Sequence, residues 1–116
     1  MAEEKDTKGD LHTGKSAEEV ARDYDSAKRQ DSGPQLPKMD FSMFIFSLNS
    51  SALVHLGLLE DPSTGRKSKN TAAAKQTIDI LGMLEQKTRG NLIKEEEDML
   101  KHMLYDLRLM YVREMK

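Results

Sequence analysis

DILGMLEQKTRGNLIKEEEDML, residues 79–100, carries the most legible pattern in the chain. Its first half carries an apolar helical stripe that runs into Lys87, Thr88 and Arg89. Lys87 and Arg89 then sit at the negative end of a helix dipole, where cations are favoured. Gly90 is free to take the left-handed conformation that reverses a chain, and Asn91 can remain in the turn. Leu92 and Ile93 are expected to anchor the corner to a core. Glu95, Glu96 and Glu97 fall in the first turn of the next helix, where unpaired amides attract negative charge. This acidic run is therefore explained by helix-terminal electrostatics rather than by a catalytic carboxylate cluster. Gly90 and Asn91 are read as structural turn residues.

Upstream of the corner, the spacing predicts a helix over 72–88, capped by Asn70 or Thr71. Ala74, Ile78, Leu81 and Leu84 form its inward stripe, with Ile80 alongside. Gly82 costs up to about 1 kcal/mol of helix propensity relative to alanine, and a close backbone crossing is the expected reason for it. Lys75 and Asp79 stand one turn apart, a pairing of little energetic value. Downstream, a helix is expected from about Lys94 to near Glu114. Leu100, Met103, Leu104, Leu107, Met110 or Tyr111, and Met115 keep a 3–4 spacing. Leu109 and Val112 give its distal end a second apolar face.

Further upstream the character changes. Residues 41–59, FSMFIFSLNSSALVHLGLL, contain no Asp, Glu, Lys or Arg. Asp40 can cap a helix here, and Gly57 can stop it before Pro62. Phe41, Phe44, Ile45, Leu48, Ala52 and Leu56 share a broad apolar face, and Phe46, Leu53, Leu58 and Leu59 widen it. The length approaches the roughly 20 residues of a membrane helix, but Ser47, Asn49, Ser50, Ser51 and His55 interrupt it. A helix buried in a bundle and shared between subunits is the stronger reading. Two further helices from one chain cover so much apolar surface with difficulty, so self-association is expected. Phe44, Leu48 and Ala52, with Leu107 and Tyr111, are the expected interface.

Between these helices lies DPSTGRKSKNTAAAK, a turn followed by Arg66, Lys67, Lys69 and Lys75. It is not a phosphate loop, since Gly65 is followed by arginine and the upstream context is helical. The basic residues could touch phosphate, but no neighbouring aromatic is available to stack a base. His12, His55 and His102 are dispersed and make no metal site. No catalytic, metal-binding or cofactor-binding residue is assigned, and no cofactor is expected.

The chain has 116 residues, no cysteine and a formal net charge of -2, which excludes a disulfide framework and a global field for nucleic acid. Residues 1–40 hold seven Lys or Arg and ten Asp or Glu, with little apolar area to offset ordering entropy. Residues 1–38 are read as a flexible charged tail that allows a short helix at 17–29. Ser16 and Glu19 have capping-box spacing, and Val20 and Tyr24 lie one turn apart. The first residues are polar and lead into no signal segment, so a cytoplasmic protein is expected.

The segments FSMFIFSLNSSALVHLG at 41–57, AKQTIDILGMLEQKTRGNL at 74–92 and EEEDMLKHMLYDLRLMYV at 95–112 together resemble the bacterial DUF1844 family. Lys87, Thr88, Gly90, Asn91 and Leu92 match its helix–turn segment. Asp106, Leu107, Arg108, Tyr111 and Val112 match its terminal helix. Ile93 departs from the pattern, where relatives carry a polar cap such as threonine. The resemblance implies a small bacterial helical domain, here 39–116, with no established catalytic residue to carry over.

The expected fold is all-α: a small helical bundle or helical-hairpin assembly with three principal helices and a disordered N-terminal tail. The expected role is a small homo-oligomeric structural or protein-interaction module, with self-association or an unidentified protein as partner. The alternatives are weak nucleic-acid binding through the basic 66–75 loop, an enzyme with an unrecognised pocket, and peripheral membrane association through the 41–59 helix.

Overall fold

The computed structural model describes residues 14–31, 33–34 and 36–116. They form four helices: α1, Ala17–Gln30; α2, Phe41–His55; α3, Thr71–Lys87; and α4, Lys94–Glu114. The chain divides into two units, Met1–Pro37 and Lys38–Lys116.

The first unit corrects the expected three-helix fold with its disordered tail. α1 is a fourth helix of 14 residues, and local interactions account for it. The Glu19 amide donates to Ser16 Oγ at 3.2 Å, and the Ser16 amide donates to Glu19 Oε1 at 3.0 Å. Each satisfies a group that a helix start otherwise leaves open. Glu18 and Glu19 lie in the first turn and Lys28 and Arg29 in the last, complementing the dipole at both ends. None of its residues is buried, so hydrophobic packing does not explain it. The expectation of disorder over residues 1–13 lies outside the described residues.

In the second unit, α2 starts at Asp40, whose carboxylate accepts from the Met43 amide at 2.8 Å. It stops at Gly57, which has φ 80°, with the Leu58 amide donating to the Leu53 carbonyl and the Gly57 amide to that of Val54. This pairing closes the last carbonyls in the glycine-stop pattern. A tight turn follows, in which the Asp61 carboxylate accepts from the Ser63 amide and hydroxyl at 2.8 and 2.7 Å. The Asn70 amide donates to the His55 carbonyl at 2.7 Å and ties the end of α2 to the start of α3. The Asn70 side chain caps α3 by accepting from the Ala73 amide at 3.0 Å.

α3 and α4 make a hairpin around Gly90, which has φ 84° as the corner requires. Thr88 ends α3, donating its amide and hydroxyl to the Leu84 carbonyl, the latter at 2.7 Å. The Asn91 amide closes the turn onto the Thr88 carbonyl at 2.8 Å. Leu92 packs against the core, but Ile93 does not: it precedes α4 with 61% of its surface exposed. An isoleucine side chain offers no acceptor, so only the reciprocal half of a capping box forms there. Glu96 Oε1 accepts from the Ile93 amide at 3.1 Å.

The core joins all three helices of this unit: Ile45, Ala52 and Leu56; Ala74, Ile78 and Leu81; Leu100, Leu104 and Leu107. Thr77 is buried among them and donates its hydroxyl to the Ala73 carbonyl at 3.0 Å. That bond removes the main penalty for burying a hydroxyl. The expected backbone crossing at Gly82 is absent. A Cβ built there would instead meet Arg108 Nη2 at 3.1 Å, the far end of a side chain from α4.

Candidate functional site

Helix α2 turns the face Ile45, Ala52 and Leu56 inward, with Phe41, Leu48 and Leu53 packed beside it. A helix that is apolar all round cannot hide its other side in this way. Met43, Phe44 and Phe46 remain 40%, 41% and 58% exposed. Beside them is an open cleft of about 390 Å³ lined by Met39, Ser42, Met43, Phe46, Ser47 and Met99. No ionisable side chain lines it. The Ser47 hydroxyl already donates to the Phe44 carbonyl at 2.7 Å. Three methionines give the cleft adaptable, polarisable walls.

A second surface lies along the α3–α4 groove, where Arg108 lines two neighbouring clefts. The cleft nearer the corner, about 320 Å³, also has Glu85, Lys101, Leu104, Tyr105, Leu109 and Val112 around it. The other, about 210 Å³, has Lys75, Ile78, Asp79, Tyr111 and Val112. Tyr105, Leu109 and Val112 are 67%, 38% and 50% exposed. Lys75 Nζ pairs with Asp79 at 3.0 Å, and that hydrogen bond, then the carboxylate charge, raises the lysine above its ordinary value. Neither His55, His102 nor Asp106 lines either cleft.

The corner itself borders a third hollow of about 280 Å³, with Glu85, Thr88, Arg89, Gly90, Leu92, Glu97, Leu100 and Lys101 around it. Its charges are mixed in sign, and Lys101 lies 3.8 Å from Glu97. Gly90 and Asn91 serve the turn, as their backbone geometry requires.

The loop basic residues divide. Lys69 pairs with Glu114 at 2.6 Å and Lys75 with Asp79, while the Arg66 carbonyl closes the tight loop by accepting from the Asp61 amide at 2.9 Å. Asp61 is held below its ordinary value of 3.8, first by the Ser63 hydroxyl and then by the Ser63 amide, with the His55 charge contributing least. Two of the four cations are thus partly neutralised within the chain.

Of the expected interface residues, Phe44 is exposed. Leu48 and Tyr111 are half-buried against the core, and Ala52 and Leu107 lie wholly inside it. The cleft residues Met39, Met43 and Phe46 were not among them. Met43 and Phe46 stand three apart on α2, a spacing that marks one helical face, and Met39 precedes the helix start. Among the described residues, no helix is long and apolar enough to cross a membrane.

A family model described as Domain of unknown function (DUF1844) matches residues 38–113. No curated protein and no solved structure matches the chain.

Proposed function

We propose that this chain, which belongs to the DUF1844 family, works as a small self-associating interaction module. One observation carries the reading: Met43, Phe44 and Phe46 stand exposed on a helix without Asp, Glu, Lys or Arg. Each would gain about 25 cal/mol for every Å² of apolar surface removed from water. A second protein surface provides that removal without requiring the helix to leave its own core. A stable pair must cover about 800 Å² on each partner and offset its lost rigid-body freedom. A cluster of aromatic and methionine side chains supplies the dry centre such an interface needs.

Phe46→Asp in the full chain tests this reading, because the side chain is 58% exposed and its replacement leaves the buried face of α2 intact. Burial of an unpaired carboxylate at an interface is expensive. Light scattering should show the variant dissociating at concentrations where the wild type is assembled, with helicity by circular dichroism retained. Gln76→Glu, a charge added to an exposed position on α3, should leave the mass unchanged. Equal assembly of Phe46→Asp and wild type would overturn the proposal.

A further inference from the structure

We propose that Met39, Met43 and Met99 form a thioether site for a soft monovalent cation, Cu(I), in the cleft beside α2. The site is built within one chain, so it stands independently of self-association.

The methionines of this chain fall into different environments. Met103 and Met110 pack against the core, where methionine serves as an adaptable filler. Met39 and Met43 do not: they are 60% and 40% exposed. With Met99 they line one open cleft of about 390 Å³. The three come from separate backbone positions, Met39 just before α2, Met43 in its first turn and Met99 on α4. Three rotatable bonds let each sulfur turn into the cleft, and the volume leaves room for an ion among them.

The donors select the ion. A thioether is neutral and soft, a poor ligand for Mg²⁺ or Ca²⁺ and a suitable one for Cu(I). Cysteine, the other soft donor, is absent from the chain. No ionisable side chain lines the cleft. Asp40, next to Met39, uses its carboxylate to accept from the Met43 amide at 2.8 Å, and the Ser47 hydroxyl donates to the Phe44 carbonyl at 2.7 Å. A divalent cation would enter this cleft without a counter-charge, at a high cost in lost hydration. A singly charged ion with soft donors is penalised far less. Phe46 lines the same cleft, and the face of an aromatic ring attracts a cation. Among the described residues, no group of three or more His, Cys, Asp or Glu could hold a metal ion, so no harder cluster there competes for it.

Ag(I) is the redox-stable probe of the same donor chemistry. It is titrated, in chloride-free buffer, into the full chain labelled at the methionine methyl carbons. The methyl resonances of Met39, Met43 and Met99 should shift together and saturate at one ion per chain, while those of Met103 and Met110 stay in place. Cu(I), supplied without oxygen against a coloured Cu(I) chelator, should bind with the same stoichiometry. Each single Met→Leu substitution at the three positions should weaken binding at least about tenfold, and the triple variant should abolish it. Leucine keeps the cleft apolar, so helicity and mass should match the wild type. Shifts spread evenly over all the methionines, or silver binding by the triple variant equal to that of the wild type, would overturn the proposal. So would Zn(II) shifting the same three resonances as strongly as Ag(I). The two readings separate cleanly. A wild type that binds silver but stays monomeric supports the thioether site and rejects self-association; one that assembles without binding silver does the reverse.

Discussion

Helix α2 and the α3–α4 hairpin share one core, yet they meet water differently. In the hairpin, charged residues mark the outward sides: Lys75, Asp79 and Lys101 are exposed, while Ile78, Leu81, Leu100 and Leu104 lie inside. Solvent and core therefore select the same rotation of each helix. α2 has no Asp, Glu, Lys or Arg to hold one side in water. Its rotation is set by tight packing at Ile45, Ala52 and Leu56, and Met43, Phe44 and Phe46 are left outside. The difference teaches that apolar content says how much surface needs cover, whereas charge says which surface does not.

The sharpest way to break this contrast is within α2. Ile45→Ala removes a wholly buried side chain and should destabilise the fold by about 2–5 kcal/mol. Phe46→Ala, one position on and mostly exposed, should cost far less under conditions where the chain is monomeric. Urea unfolding of both variants at low concentration measures the difference. Equal losses would mean that α2 has no distinct inner and outer sides.

The hairpin offers the next test. Gly90→Val forces a branched side chain to a φ of 84° and should cost about 1–2 kcal/mol, although the space around it is open. An unchanged unfolding midpoint would remove the corner from the account. Gly82→Ala should have the smallest effect, a gain of up to about 1 kcal/mol from helix propensity. The neighbour it meets is the tip of the exposed Arg108 side chain, which can yield by a few tenths of an ångström. A loss on the same unfolding curve would show that the guanidinium is held in place.

Much of the hairpin was legible in the sequence because its signals are local and polar. Gly90, the acidic first turn of α4 and the basic end of α3 locate the corner without knowledge of the core. The capping box at Ser16 and Glu19 is equally visible, and its two hydrogen bonds start α1 despite the charge of the surrounding tail. In α2 no Asp, Glu, Lys or Arg fixes a rotation, so Phe44 and Ile45, adjacent in sequence, read as one face. The spacing 41, 45, 48, 52, 56 turns Ile45 inward and leaves Phe44 41% exposed. The same ambiguity sets Ala52 at the expected interface, whereas Ala52 and Leu107 both complete the chain's own core. Burial of Thr77 and the seat of Arg108 at Gly82 depend on how α3 meets its neighbours in space, which periodicity alone does not encode.

The central claim is that apolar surface left over by this fold is covered by another copy. Light scattering of the full wild-type chain across a dilution series measures it directly. The account predicts a mass that is a multiple of 13.2 kDa at high micromolar concentration and falls toward that value on dilution. A folded chain that keeps the single-chain mass throughout the series would contradict it.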